Sequence, residues 1–286
     1  MNQPAILVVG ATGRLGSRLL HKLAAAGVKP RALVRNPEKG ALIASLATPV
    51  IGDLRSPETL ADAFRGSERV FIVAPPAPDM ETLERNAIEA TVAAGSKRIV
   101  YLSNFAATEN DEDHFVHIHG LHQNLVTTLG IEWTVLRPTR YMTSFPFVWR
   151  SIFEQNLLIE TGGLGAMTCI DPDDVATIAA KTLMEDSHIR QMYKLTSEET
   201  YTAAELAALL SRVLKRNITV FQGDTEALRD ALIANGAKGE HAPFMARYFA
   251  KVAAGLYTTT DTASNILGRS PHAYAEWIES NRPATS

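Results

Sequence analysis

Ala5-Ile6-Leu7-Val8-Val9-Gly10-Ala11-Thr12-Gly13-Arg14-Leu15-Gly16 is the stretch from which the rest of the chain is read. Its first five residues are apolar without interruption. That pattern describes a strand buried on both faces, since a half-buried strand would alternate. From Arg14 to Ala26 the positions Leu15, Leu19, Leu20 and Leu23 recur at helical spacing, and Gly27 stands where a C-terminal cap is wanted. A glycine loop between a buried strand and an amphipathic helix offers backbone amides and a helix N-terminus to a pyrophosphate. Gly10, Gly13 and Gly16, spaced G-x-x-G-x-x-G, permit a tight turn, close approach of main chain to phosphate, and close packing of helix on sheet. No Lys-Ser/Thr pair follows, which disfavours a mononucleotide P-loop.

Working outward, Arg31-Ala32-Leu33-Val34 reads as a second strand closed by Asn36-Pro37, and Thr48 to Gly52 as a third. The spacing then predicts a helix over Glu58 to Phe64, a strand over Arg69 to Ala74, a helix over Asp79 to Ala94 and a strand over Arg98 to Ser103. A helix over His114 to Leu129 and a strand over Glu132 to Leu136 follow. Such alternation implies an α/β fold, a Rossmann-type doubly wound parallel sheet with right-handed crossovers. The pattern breaks after Arg137-Pro138. Thr143 to Phe153 is aromatic-rich and holds Pro146, and Gly162 to Gly165 reads as a turn or exposed loop. Alternation resumes with Met167 to Ile170, a helix from Asp173 to Glu185 and a strand from Tyr193 to Thr196. Helices over Thr202 to Leu214, Thr225 to Asn235, Pro243 to Leu256 and Pro271 to Glu279 complete the chain. The expected organisation is a dinucleotide-binding domain over residues 1–142, completed by parts of 166–198. A smaller, mainly helical substrate lobe takes 143–165 and 199–286.

The choice of cofactor is read about 20 residues past the loop, where an acidic residue would bind the ribose hydroxyls of NAD. Arg35-Asn36-Pro37 stands there instead. A guanidinium can pair with the 2′-phosphate of NADP, with Arg14 approaching from the loop, so NADP(H) is expected. Glu38, the competing acid, lies past Pro37. The expected cofactor contacts are Gly10, Thr12, Gly13, Arg14, Leu15, Gly16 and Arg35. Asp53 and Leu54 follow strand three, Ala74 and Pro75 end strand four, Ser103 and Asn104 end strand five, and Pro138 follows strand six. Asp53 reads equally as an acceptor for adenine or as a turn aspartate.

Composition narrows the partners. Hydrophobic residues at 46% and charged residues at 21% are those of a globular chain. A net charge of -3, from 28 basic and 31 acidic side chains, builds no field for nucleic acid or an anionic membrane. A small, apolar substrate is expected, and assembly as a homodimer is left open. Cys169 is the single cysteine, which excludes an intrachain disulfide and cysteine-rich zinc patterns and fits a reducing compartment. No signal peptide or membrane span is read, so a cytoplasmic location is expected.

Taken in order, Val8 to Gly16, Val34-Arg35-Asn36-Pro37, Gly52-Asp53, Thr134-Val135-Leu136-Arg137-Pro138, Asp171 to Ala176 and Leu267 to Pro271 resemble the NmrA-like group of atypical short-chain dehydrogenases/reductases. The resemblance covers nearly the whole chain. It implies a Rossmann domain with a small C-terminal substrate lobe and supports Arg35 as a 2′-phosphate contact. The group contains reductases of triphenylmethane dyes and of quinones, and also members that bind the dinucleotide as redox sensors.

Most short-chain dehydrogenases carry Tyr-x-x-x-Lys, whose tyrosine protonates or deprotonates the substrate oxygen. This chain has no such pair. Counting back from Gly130 to Pro138 places Phe115 and His119 at its two positions. His119 is therefore a candidate both for a ribose contact in place of the lysine and for proton donation near neutral pH. Tyr141, just past Arg137-Pro138 at the ligand-bearing end of a strand, is the second catalytic candidate, and a similar tyrosine lines the substrate side in the resembling reductases. His114, His117, His119 and His122 do not converge on one helix face, because His117 and His119 point about 160° apart at about 100° per residue. No metal site is expected. Phe145, Phe147, Trp149 and Phe153 offer an apolar wall or a packing cluster.

The leading expectation is an NADPH-dependent reductase that passes hydride to a flat, apolar, electrophilic acceptor such as a quinone, enone, imine or dye. The rival is a non-catalytic NADP(H)-sensing regulator, and the third reading an epimerase or dehydratase that retains its cofactor.

Overall fold

The computed structural model describes residues 4–75, 77–143, 146–159, 165–237 and 241–281. Two compact units emerge, Met1–Pro138 with Pro172–Leu195, and Thr139–Asp171 with Thr196–Ser286.

The first unit is built on seven parallel strands: β1 (Ile6–Val8), β2 (Arg31–Val34), β3 (Thr48–Ile51), β4 (Arg69–Ile72), β5 (Arg98–Leu102), β6 (Glu132–Pro138) and β7 (Gln191–Leu195). Their order is β3-β2-β1-β4-β5-β6-β7. Every pairing is parallel. All strands thus end on one edge of the sheet, and the order reverses between β1 and β4, where ligands of such sheets sit. Helices α1 (Arg14–Ala25), α2 (Pro37–Ala41), α3 (Leu60–Phe64), α4 (Met80–Ala93), α5 (His114–Thr128) and α6 (Pro172–Met184) form the crossovers.

The core explains why the central strands read as unbroken apolar runs. Leu7, Val9, Val70, Ile72, Ile99 and Val135 pack with Leu60 and Phe64 of the α3 segment, Ala87 and Ile88 of α4, and Val126 of α5. Helix ends follow local chemistry. Gly27 at φ +75 terminates α1, with its amide on Ala24 O and that of Val28 on Leu23 O, both at 2.9 Å. Asp113 caps α5 by accepting from the amides of Phe115 and Val116. Arg18 and Lys22 of α1 reach Asp173 of α6 at 3.2 and 2.6 Å, part-exposed pairs worth about 1 kcal/mol or less each.

Three local features go beyond the sequence reading. Asn36-Pro37 does more than close β2: Asn36 accepts from the Lys39 amide at 2.9 Å and Pro37 opens α2, since a proline at the first helical position lacks only an amide no carbonyl would reach. The aromatic stretch after Arg137-Pro138 is helical over Pro146–Gln155, for the same reason at Pro146. A further short helix, Thr262–Leu267, ends on Gly268 at φ +73. Phe145 and the Gly162 to Leu164 part of the expected turn lie outside the described residues.

The second unit is mainly helical, with helices Ala203–Leu214, Thr225–Ala234, His241–Ala253 and Tyr274–Asn281 besides those two. Two short parallel ribbons join Arg140–Tyr141 to Cys169–Ile170 and Leu157–Leu158 to Thr219–Val220. Trp149 stacks on Phe153 at 5.7 Å between ring centroids and meets Trp277 at 5.8 Å, with Tyr274 a further neighbour of Trp277. This makes Trp149 and Phe153 members of a packing cluster. Among the described residues no helix is long and apolar enough to cross a membrane.

Candidate functional site

The glycine loop leaves the carboxyl end of β1. Gly10 has φ +76, and a Cβ there would lie 2.4 Å from Val73 O. At Gly16 a Cβ would lie 2.1 Å from Gly10 O and 2.8 Å from Ala11 Cα, so only glycine lets the first turn of α1 settle on the loop. Gly13 differs, since its Cβ would meet Gly10 O alone within 4 Å, at 3.1 Å, and its outer side is exposed. Its amide bonds Gly10 O at 2.9 Å, and no side chain caps α1. The amides of Arg14, Leu15 and Gly16 then occupy positions that no intrahelical carbonyl reaches, beside the positive end of the helix dipole. An uncapped helix N-terminus under an open glycine fits a pyrophosphate.

Thr12 and Arg14 are exposed on this loop, and Leu15 is buried beneath it. Arg35 is exposed immediately beyond β2, and Glu38 sits in the first turn of α2. Asp53 is partly buried after β3, where its Oδ1 accepts from the Arg55 amide at 3.0 Å and its own amide donates to Thr59 Oγ1 at 2.9 Å, the bonding of a turn aspartate. Leu54 packs against the core, and its carbonyl accepts from Asn86 at 2.7 Å. Ala74 is buried with Met80, Leu83 and Ile118, while Pro75 is exposed; Pro76 lies outside the described residues. Ser103 faces inward, its hydroxyl donating to Gln123 Oε1 at 2.9 Å. Asn104 is partly buried and accepts through Oδ1 from the Ala106 amide. Pro138 closes β6 and accepts from the Phe105 amide at 3.0 Å.

Arg137, quoted in the sequence only as part of a motif, organises this edge. Its guanidinium donates to the carbonyls of Asn104, Phe105 and Ala107 at 3.1, 2.8 and 2.9 Å, fixing the segment that leaves β5. Gly120 serves the same segment. A Cβ there would lie 2.2 Å from the carbonyl carbon of Thr108, so glycine lets this loop press on α5 beside His119.

His119 lies within a cluster that no local pattern announced. Glu84 of α4 is fully buried, and its Oε2 accepts from Tyr101 of β5 at 2.6 Å and from His122 Nδ1 of α5 at 2.8 Å. His119 Nδ1 is 3.0 Å from the Tyr101 hydroxyl and 3.8 Å from Glu84 Oε1. Burial first, and then the charge and hydrogen bond of Glu84, push the Tyr101 phenol well above its ordinary range, so it stays protonated and donates. Burial, outweighing Glu84, lowers His119 below the usual imidazole value, with His122 adding to the depression. His119 is accordingly neutral near pH 7. This state bears on both roles expected of His119, ribose contact and proton donation.

Phe115, in the place of the missing tyrosine, packs against Ala74, Met80, Leu83 and Ile118. His117 turns away to the Glu109 carbonyl at 2.6 Å, and His114 is exposed. Of the four histidines of α5, His119 and His122 meet around Glu84, while His117 bonds a backbone carbonyl and His114 is exposed. Tyr141 belongs to the second unit, partly buried, on the strand that pairs with Cys169–Ile170.

An NAD(P)H-binding family matches residues 10–186, from the first glycine of the loop to the end of α6 and just past it. The chain belongs to the NAD(P)H-binding family. Among the relatives of this chain, the NAD(P)H azoreductase of Xenophilus azovorans is 30% identical over 281 residues, 98% of each chain. The structure of the Escherichia coli NADPH-dependent quinone oxidoreductase complexed with NADPH is similar with a TM-score of 0.89 at 25% identity, over 96% of this chain and 99% of that one. Citrobacter sp. triphenylmethane reductase complexed with NADP(H) gives 0.87 at 26% identity over the same shares. The NmrA-like resemblance and the Rossmann-type fold read from the sequence both hold. As a member of the NAD(P)H-binding family the chain is an NAD(P)H-dependent oxidoreductase, and NADP(H), the expected cofactor, is within what the family binds.

Proposed function

We propose that the chain is an NADPH-dependent reductase of flat, apolar, electrophilic acceptors: quinones, azo compounds, enones or imines, and cationic dyes. The observation that carries this reading is the state of the would-be acid. Phe115 stands where a catalytic tyrosine would, and His119 is neutral in its buried cluster. A site without a ready acid suits acceptors whose reduction needs little proton assistance, because a positioned hydride then does most of the work.

The residues at the sheet edge divide the binding. The amides of Arg14, Leu15 and Gly16 hold the pyrophosphate, and Gly13 admits it. Arg35, with Arg14, pairs with the 2′-phosphate and selects NADPH over NADH. Asp53, Leu54, Ala74 and Pro75 border the adenosine half, while Ser103, Asn104, His119 and Pro138 border the nicotinamide half. Bound there, the reduced nicotinamide supplies a hydride. Tyr141 is kept as the second candidate residue for catalysis. The names of the azoreductase, quinone oxidoreductase and triphenylmethane reductase relatives support this acceptor class.

Purified protein is mixed with NADPH and a panel of quinones, azo dyes, enones and cationic triphenylmethane dyes, and NADPH absorbance is followed. Acceptor-dependent loss with a marked preference for NADPH over NADH is expected. Tight binding of both NADP+ and NADPH with no turnover across the panel would reject the reductase in favour of a redox sensor.

A further inference from the structure

We propose that Glu84 and Tyr101 form a buried relay that holds His119 in its Nδ1–H tautomer, presenting a bare Nε2 to a hydroxyl of the bound cofactor. The proposal deepens the reading of His119 as a ribose contact and rests on it. Glu84 and Tyr101 are positioning residues, acting through His119.

The Tyr101 phenol has one proton, and its 2.6 Å contact directs that proton to Glu84 Oε2. The same carboxylate oxygen accepts from His122 Nδ1 at 2.8 Å. Once the phenolic proton is committed, the 3.0 Å contact between Tyr101 and His119 Nδ1 is a hydrogen bond only if the imidazole nitrogen donates. A neutral imidazole that donates through Nδ1 carries a lone pair at Nε2. A partner on one ring nitrogen sets the tautomer and orientation of the other, which is how second partners act on histidines at functional sites.

Among the described residues, none competes with the relay for His119 Nδ1. The groups facing His119 are Glu84 from α4, Tyr101 from β5 and His122 from its own helix. Glu84 Oε1 has no hydrogen-bond partner among the described residues and lies on the His119 side, 3.8 Å from Nδ1. It therefore reinforces a protonated Nδ1. His119 is also the most exposed member, its side chain 18% accessible against 1% for Glu84 and His122. The end of the cluster that meets solvent or ligand is thus an imidazole whose protonation pattern is set from inside. A lone pair at Nε2 recognises a hydroxyl donor such as ribose offers, where the lysine of ordinary short-chain dehydrogenases would donate.

The test reads the tautomer directly. Full-length protein labelled with 15N-histidine is examined by two-bond proton–nitrogen correlation, with His119→Asn assigning the His119 signals. An unprotonated Nε2 is expected in the wild type, and Tyr101→Phe should move it towards the protonated range, the tautomer that free imidazole side chains favour. An Nε2–H His119 in the wild type overturns the proposal, whether or not Tyr101→Phe folds. So does a folded Tyr101→Phe protein whose His119 spectrum is unchanged. Addition of NADP+ separates the two layers. A shift of Nε2 supports the cofactor contact. A relay that responds to Tyr101→Phe while Nε2 ignores NADP+ overturns the ribose reading and leaves the relay standing.

Discussion

Gly16→Ala puts two opposite expectations in competition. On helix propensity alone, alanine in place of glycine in α1 stabilises by about 0.8–1 kcal/mol. The structure predicts the reverse. The new Cβ would lie 2.1 Å from Gly10 O and 2.8 Å from both Gly10 C and Ala11 Cα, all backbone atoms of the cofactor loop. Reaching the 3.0 Å that real contacts respect requires the loop or the helix end to move by about 0.9 Å. Overpacking of that kind costs about 1–3 kcal/mol. Set against the propensity gain, the net is a loss of up to about 2 kcal/mol. Because the displaced atoms carry the amides that meet the pyrophosphate, affinity suffers more than stability. Loss of one hydrogen bond to a charged group is worth about 1.5–3 kcal/mol, or roughly 10- to 100-fold in Kd. Thermal melts with and without NADPH, together with a fluorescence titration of NADPH, read both quantities. A Gly16→Ala protein that melts above the wild type and binds NADPH with unchanged Kd would refute the reasoning.

Arg35→Ala should weaken NADPH by about 10- to 100-fold, the worth of a charged hydrogen bond, and leave NADH nearly unaffected; comparing kcat/KM for the two cofactors checks it. His119 is held neutral by burial, with its folded value below the unfolded one, so the unfolded state binds more protons between the two. Stability should therefore fall as pH drops below the ordinary imidazole value of about 6.5 and level off below the folded value, and His119→Asn should flatten that part of the profile in pH-dependent melts. Arg98, 1% exposed at the amino end of β5, donates to Glu132, Asp186 and the carbonyls of Thr182 and Glu185. Arg98→Ala should cost about 2–5 kcal/mol, on the scale of a core truncation, without changing NADPH Kd in protein that remains folded, because it lies at the edge opposite the loop. Arg98 also holds the Asp186 carboxyl below its ordinary value. That contribution is present above the unfolded pKa and lost as pH falls through the folded one, so the gap between wild type and Arg98→Ala should narrow in acid.

Legibility followed the range of the interactions. The strand Ile6–Val8, helix Arg14–Ala25 and strand Arg31–Val34 were readable because periodicity, a glycine cap and burial on both faces all leave marks within a few residues. The helix Pro146–Gln155 was not, since Pro146 and the aromatic residues around it look like a break unless the proline is placed at the first helical position. Asp53 was ambiguous in sequence between ligand acceptor and turn residue, and in the structure Oδ1 makes the turn bond. Ser103 ends β5, and its hydroxyl is bonded to Gln123, twenty residues on, a contact that its place at a strand end does not reveal.

The glycine loop, its buried strand and Arg35 were determined by the sequence itself, because they depend on main-chain conformation and a charge at a strand end, properties set by neighbouring residues. The cluster around His119 was decided by tertiary structure alone. Glu84 looks like a helix surface acid beside Glu81 and Arg85, and Tyr101 like any aromatic strand residue. Only the parallel sheet, with α4 and α5 packed against β5, brings their oxygens and the two imidazoles together. Protonation inside that cluster answers to burial and to contacts 17 to 38 residues apart, so composition and spacing carry no trace of it.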